Sequence, residues 1–405
     1  MLLLPHTSYL LLSMSIFLGI LLTLLVLLIV VMVHEFGHFI TARLTGMRVE
    51  EFGIGIPPRA RRLFTDKKGT QYTLNYLPIG GFVRILGEDP RGPDSTTEGS
   101  FITKPWISRV IVLVAGVTMN FVLAFAIFTG LFLYGVTPMA IIPLEGYQSQ
   151  ILPSAHEAIE NQYLTHSGLT VTSISGSIAD LAGIGEGEKV VTINGVAPLS
   201  AQDMITIIQK NEPISLILGV PSVPSTIREV RMTPQDGKVG MQIGYRDLHI
   251  NTDKKIQYSG LKAITMGAHE TVSTTRITLS FLSRMVVGLF APKNETERSE
   301  AKNMLAGPIG LGSTFIQIVQ DSVPIATVLV MIALLSINLG VINILPFPAL
   351  DGGRIVTTTL YSMLEYIPRG RQYFTRVEGA IHAVGFFLLL ALMLYISSLD
   401  IARFF

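Results

Sequence analysis

The sequence predicts an α-helical polytopic membrane protein with about four transmembrane helices, one small β-region and one inserted α/β domain. Composition gives the first reason: of 405 residues, 49% are hydrophobic and only 15% charged, and mean hydropathy is +0.51. That is too apolar for an ordinary water-soluble chain of this length. The second reason is a set of long uncharged runs, the first of which carries no Asp, Glu, Lys or Arg from residue 1 to residue 33. The third is that these runs are separated by two stretches of ordinary polar composition, 49–100 and 145–250.

About twenty apolar residues cross a bilayer as a helix. Residues 10–44 give the first span, with Gly46 expected to end it. The stretch lacks a basic leader and is too long for a cleavable signal core, so it reads as a retained helix. Residues 49–100 show short β-type pieces, Val49–Ile56, Gln71–Leu77 and Gly81–Leu86, parted by Pro57-Pro58, Asp66-Lys67-Lys68-Gly69 and Pro78-Ile79-Gly80. Residues 107–134 form the second span. Residues 145–250 mix short strands and two helices, with Val190–Ile193 running into Asn194-Gly195, and read as one compact α/β domain. Residues 260–290 are amphipathic, and 303–320, interrupted by Gly307-Pro308, read as bent or re-entrant, so 260–320 is one amphipathic and re-entrant segment. Residues 322–351 are the third span and 379–399 the fourth.

Lys and Arg placement orients these spans. Eleven lie between Arg43 and Arg109 and four (Arg354, Arg369, Arg371, Arg376) in the link between spans three and four, while none precedes span one. The positive-inside rule puts the β-region and that link in the cytoplasm and the 145–250 domain outside.

The chemistry centres on Val31-Met-Val-His34-Glu35-Phe-Gly-His38-Phe39 at the end of span one. Ionisable groups in an apolar span are costly and mark function by default. Residues four apart share a helix face, so His34 and His38 can hold one metal ion, with Glu35 as the adjacent general base. A zinc hydrolase needs a third protein ligand and an open position. Span three ends on the same side in Asn343-Ile-Leu-Pro346-Phe-Pro348-Ala-Leu350-Asp351-Gly352-Gly353. On topology alone Asp351 is either that ligand or a helix cap at the interface. Asn343 can offer an amide to a substrate or to a ligand's outer face. In span two, Gly116-x-x-x-Asn120 puts a small residue and an amide on one face, suited to close helix contact. His382 in span four reads as a hydrogen-bonded packing residue, and His6, His156, His166, His249 and His269 as solvated surface.

The paired motifs His34-Glu35-x-x-His38 and Asn343-x-x-Pro346-x-Pro348-x-Leu350-Asp351-Gly352 resemble the site-2 protease family of intramembrane zinc metalloproteases, of the bacterial regulator-of-sigma-E type. The resemblance covers almost the whole chain. It implies a zinc metalloendopeptidase with His34, His38 and Asp351 as zinc ligands and Glu35 as catalytic acid/base. It also implies that Leu77-Pro78-Ile79-Gly80-Gly81-Phe82-Val83 belongs to a membrane-associated β-region that pairs with an unwound substrate, and that Asn120 and Asn343 contribute to substrate binding. Residues 165–245 resemble a PDZ domain, with Ser167-Gly168-Leu169-Thr170 as the expected carboxylate-binding loop. There is room for one such domain, where the best-known sigma-E regulators carry two.

The implied partners are the lipid bilayer of a bacterial inner membrane, single-span membrane substrates such as anti-sigma factors or remnant signal peptides, and a peptide or partner C-terminus on the PDZ domain. A net charge of +1 gives no field for nucleic acid. Zero cysteines exclude disulfides and thiolate-ligated metals. Two other classes remain open on the residues: a PDZ-bearing substrate-binding scaffold with an inert metal site, and a transporter using intramembrane His and Asp, which four spans without a repeat make poor.

Overall fold

The computed structural model describes residues 6–88, 97–138, 149–219, 227–251, 253–305, 307–364 and 370–402. Part of the expected loop after the β-region, the start of the expected α/β domain at 145–148, and Arg369 lie outside the described residues. The chain divides into two compact units, Met1–Gly130 with Thr265–Phe405, and Leu131–Ile264.

In chain order the first unit begins with helix α1 (His6–Leu44), strands β1 (Val49–Thr65) and β2 (Gln71–Ile85), and helix α2 (Trp106–Tyr134). The second unit follows with α3 (Ala155–Glu160), β3 (Leu164–Thr165), β4 (Gly168–Ser173), α4 (Ile178–Leu181), β5 (Glu188–Ile193), α5 (Ala201–Ile208), β6 (Ile214–Gly219), β7 (Ile227–Met232), β8 (Met241–Arg246) and β9 (His249–Ile250). The chain then returns through α6 (Gly260–Phe290), α7 (Glu295–Asn303), α8 (Pro308–Gln320), α9 (Ile325–Asn343), α10 (Asp351–Met363) and α11 (Gly370–Ala402). Four of these helices, over Ser13–Leu44, Trp106–Tyr134, Ile325–Asn343 and Val377–Ala402, are long and apolar enough to cross a membrane.

Two strands replace the three β-pieces expected from the prolines, but each strand changes partner along its length. Phe52 pairs with Val83 on one side and Tyr72 on the other, and Gly53 with Phe82 and Thr73. Residues 59–65, outside the three expected β-pieces, pair with 71–75. Pro57 and Pro58 bring no N–H to the ladder, so pairing breaks between Ile56 and Arg59 and resumes with a new register. The resulting order of segments is 59–65, 71–77, 49–56, 81–85, which leaves 81–85 on an edge. Glu51, buried in this sheet, is held by Arg59, Thr73 and Arg84, so the acid carries partners on three sides. Asp66 fastens the turn between the strands to the end of α1: it accepts from the N–H groups of Lys68 and Thr70 at 2.9 and 3.1 Å and binds Arg43 Nη1 at 2.7 Å. Desolvation raises its pKa, but those donors together outweigh it and hold the carboxyl below the usual carboxylate range.

Two apolar cores grip α1 on either side of His34. Toward the C-terminal end, Phe39 and Ala42 pack with Val49, Phe52 and Ile85 of the sheet and Val112 and Leu113 of α2. Toward the N-terminal half, Val26 and Val30 pack with Phe315 and Ile318 of α8 and Val328 and Ile332 of α9. The expected bend at Gly307-Pro308 is instead a helix start, with Gly307 as N-cap and Pro308 at the first position, where its missing N–H costs nothing. Asp400 of α11 accepts from the N–H groups of Gly307 and Gly310 at 2.9 and 2.8 Å and so caps α8. The expected third span also stops early: helix ends at Asn343, residues 344–350 are irregular, and Asp351 opens the next helix. Pro346 and Pro348 remove N–H donors there, which forbids continuous helix.

In the second unit, β7-β6-β5-β4-β8 form one antiparallel sheet over a core that includes Val171, Ile193, Met204, Leu216 and Leu218. Full burial of each such side chain contributes roughly 1.5–3 kcal/mol. Ser167–Thr170, the expected carboxylate-binding loop, is not a loop. Leu169 pairs with both Val190 and Tyr245, and the Ser167 N–H donates to Arg246 O at 2.9 Å, so these amides are spent within the sheet. His156 and His166 are likewise less free than a solvated reading implies: His156 contacts Asp203 at 3.1 Å and His166 lies 3.0 Å from Leu199 O.

Asp400→Ala leaves two N–H groups without an acceptor where protein buries them. Hydrogen bonds to a charged group are worth about 2 kcal/mol in total effect, so the unfolding midpoint of the detergent-solubilised protein should fall by several degrees. An unchanged midpoint would show that α8 needs no cap from α11.

Candidate metal centre

His34 and His38 lie on one face of α1, are almost fully buried, and bring their Nε2 atoms to 3.1 Å from each other. Asp351 Oδ2 lies 3.0 Å from His34 Nε2 and 3.3 Å from His38 Nε2. Among the described residues this is the one trio of His, Cys, Asp or Glu whose donor atoms come together in this way. The irregular 344–350 stretch makes the approach of Asp351 possible, because it turns the chain back and presents the first residue of α10 to α1. The Ala349 N–H donates to His382 Nδ1 at 3.1 Å, tying that turn to α11. At the other end of α10, Trp106 Nε1 donates to Thr359 and Arg109 Nη2 to Ser362, tying the helix to the start of α2.

The far nitrogen of each imidazole decides what the near one offers. His38 Nδ1 lies 2.8 Å from Val112 O, and a carbonyl can only accept, so Nδ1 carries the proton and a neutral ring turns a lone pair from Nε2 toward the other donors. His34 Nδ1 lies 3.1 Å from the Asn120 amide. Asn120 is fully buried and its Oδ1 has no hydrogen-bond partner as placed. Reversing the amide, which swaps O for N, lets Oδ1 accept from Nδ1–H of His34. Ser336 of α9 fixes the backbone beside it by donating to Asn120 O at 2.9 Å. Asp351 Oδ2 is buried and has no hydrogen-bond donor aimed at it. Three lone-pair atoms thus face a common point, an arrangement that a cation relieves. Tetrahedral zinc with bonds of about 2.0–2.1 Å sets its ligand atoms about 3.3–3.4 Å apart, close to the spacing seen here. The residues present fit zinc.

Glu35 stands beside this trio and its Oε2 accepts from the N–H of Val83 at 3.0 Å, on the edge segment 81–85. Gly80 and Gly81 run past Val31, Met32 and Glu35 of α1. A cavity of about 190 Å³ opens on the same ground, lined by Glu35, His38, Phe82, Val83, Asp351 and Arg354 among others. Asn343 also reaches the site, with Nδ2 3.4 Å from His34 Nε2. The candidate residues therefore gather in one place, but they divide in kind. Gly81, Phe82 and Asn343 adjoin the cavity or its donors, whereas Asn120 sits behind His34, buried. Two residues escaped the sequence reading: Arg354, counted there only as a positive charge, and Glu88, which it pairs with at 2.5 Å. The signal for Arg354 was its place one helical turn after Asp351.

Two backbone approaches need glycine. A Cβ on Gly116 of α2 would stand 2.4 Å from His38 Nε2 and 2.8 Å from His34 Cε1, so α2 can lie against both rings only without a side chain there. Gly352 and Gly353 face the carbonyls of Ile344, Leu345 and Phe347 in the same way, at 2.1–2.2 Å from a built Cβ.

The sequence profile of peptidase family M50 matches residues 22–392. The chain belongs to peptidase family M50. Family M50 comprises the site-2 proteases, and the chain is accordingly a zinc metalloprotease with helices fit to span a membrane. It is similar to a Clostridium perfringens protein provisionally named a zinc metalloprotease, 31% identical over 376 residues, covering 92% of this chain and 95% of the relative. It is also similar to the regulator of sigma-W protease RasP of Bacillus subtilis, 28% identical over 428 residues with 92% and 95% covered. The zinc metalloprotease RasP of Bacillus licheniformis is 28% identical over 427 residues with 92% and 96% covered.

Asn120→Ala removes the buried amide at His34 Nδ1 and should weaken zinc binding 10–100-fold, the usual cost of losing an outer hydrogen bond to a ligand. Titration against a chelator measures this. Gly116→Val should abolish stoichiometric zinc altogether, read as metal content of the purified protein.

Proposed function

We propose that this M50 protein cuts single-span membrane proteins within their apolar segment, with His34, His38 and Asp351 holding the zinc and Glu35 as the acid/base. The observation that carries the reading is the convergence of three lone-pair donors beside Glu35 on an apolar span. Bound zinc supplies a Lewis acid that polarises a carbonyl and makes water a nucleophile near neutral pH. Glu35 accepts the proton released when water adds to the peptide carbonyl and returns it to the nitrogen as the C–N bond breaks. Val112 O and the Asn120 amide keep both imidazoles in the tautomer that offers Nε2.

A substrate helix has its amides closed into internal bonds, so it must be unwound to be cut. The edge segment 81–85, with Gly80, Gly81 and Phe82, offers an unpaired strand side to an extended chain, and Asn343 offers an amide on the opposite wall. Asn120 is better assigned to holding His34 than to touching substrate. The Bacillus subtilis relative is named a regulator of sigma-W protease, and this supports an anti-sigma factor as one proposed substrate class beside remnant signal peptides. Lys and Arg placement favours an inner-membrane protein with the zinc site toward the cytoplasm and the second unit outside. That unit suits a PDZ-type module for a peptide or partner C-terminus. Its edge strand β8 lies beside the start of α5, where the Ala201 N–H donates to Tyr245 Oη at 3.0 Å.

Glu35→Gln should keep one zinc per chain and lower cleavage of co-expressed single-span proteins at least 10²–10⁴-fold, the range for a lost general base. Full cleavage by that variant overturns the assignment. The absence of native cysteine makes orientation testable: Lys67→Cys should react with impermeant maleimide only after cell disruption, and Lys210→Cys in intact spheroplasts.

A further inference from the structure

The cavity beside His38 and Asp351 is lined by a cation that neither holds the metal nor accepts the proton. Arg354 lies in the first turn of α10, three residues after Asp351, and lines the cavity with Glu35, His38 and Asp351. It is the one Lys or Arg in that lining. Its Nη1 pairs with Glu88 Oε1 at 2.5 Å, and Glu88, just beyond the edge segment, lines the cavity too. A guanidinium has five N–H donors. Among the described residues Glu88 is its one side-chain partner, and its side chain remains 39% exposed. Donors beyond the one given to Glu88 remain on a side chain that lines the cavity.

Peptide hydrolysis creates negative charge at two stages. The carbonyl oxygen gains it as water adds, and the new C-terminal fragment leaves as a carboxylate. Fixed donors aimed at such charge in a water-poor site are worth far more than in solution, and a planar guanidinium matches a carboxylate with two parallel bonds. Glu88, carboxylate against guanidinium, keeps the fork in the cavity and competes with any anion for it. Resting on the reading of this site as the protease centre, we infer that Arg354 is the anion-holding group of the reaction. It binds the carbonyl oxygen as charge develops and then the carboxylate of the product, and Glu88 positions it and limits how tightly product stays.

The test uses the full chain with its zinc in detergent and a peptide from a cleaved membrane segment, followed by kcat, KM, metal content and product inhibition. Arg354→Gln should keep one zinc per chain and lose about 10²–10³-fold in kcat with little change in KM, the usual loss for one such donor. Arg354→Lys should recover at least tenfold of that. Inhibition by the N-terminal product ending in a free carboxylate should weaken at least tenfold in Arg354→Gln, while the same peptide ending in an amide inhibits wild type and variant alike. Glu88→Gln, which leaves Arg354 in place, should strengthen carboxylate inhibition, and this holds the inference open to test even if Arg354→Gln fails to fold. Loss of zinc in a folded Arg354→Gln would make Arg354 a support for Asp351 and overturn the inference. So would unchanged kcat, or weaker product inhibition in Glu88→Gln. If wild type cleaves no more than Glu35→Gln, the reading of the site fails instead.

Discussion

Everything around the centre of this protein serves one arrangement that is unfavourable by itself. Two neutral imidazoles and a carboxylate point lone pairs at a common spot in apolar surroundings. Buried polar groups cost free energy unless they are paired. The structure offsets part of that cost from behind: Val112 O holds His38 Nδ1, the Asn120 amide holds His34 Nδ1, and Ser336 holds the backbone of Asn120. What faces forward is left for a cation. The surrounding helices are placed by this need, since α2 must run close enough for a carbonyl and an amide to reach two rings, and Gly116 of α2 and Gly37 of α1 leave room for that distance.

Asp351 shows the same constraint on the other wall. A residue inside a continuous span would be locked to the helix's own rotation. The chain instead ends α9 at Asn343, spends seven residues in irregular backbone, and starts α10 on Asp351. Irregular backbone at membrane depth survives where protein buries it or a cavity receives it. Here Ala349 is tied to His382, and α10 is tied by Trp106 and Arg109 to the start of α2. The broken helix is thus held from two sides, so a flexible-looking sequence delivers a carboxylate to a fixed place.

Much of this was legible in the residues because the cost is legible. His34, Glu35 and His38 stand out after 33 residues without charge, and Pro346 and Pro348 mark the break that frees Asp351. The four apolar helices follow from run length. What could not be read is what depends on register and on backbone atoms. Residues 59–65 carry three arginines and two prolines sit just before them, so nothing in their composition announces a strand paired with 71–75. Ser167–Thr170 has the look of a loop before a strand, and only its double pairing shows it to be the strand. Val112 contributes a carbonyl, which no side-chain pattern can reveal. Arg354 and Glu88 read as surface charge because their meeting depends on a loop and a helix start more than 250 positions apart.

The sheet edge gives the site a property that neither the metal ligands nor the helices would supply. Val83 has one N–H, and it is given to Glu35. A strand laid along 81–85 would offer that N–H a carbonyl instead, because pairing along an edge runs through the same outward-facing groups. Glu35 and an added strand therefore compete for a single donor. On the proposed reading of Glu35 as the base, its carboxylate is engaged while the edge is bare and would be released as the edge is covered. Binding an extended chain and freeing the base are linked by the valence of one amide, so a chain that stays helical, with no carbonyl to spare for Val83, leaves Glu35 where it is.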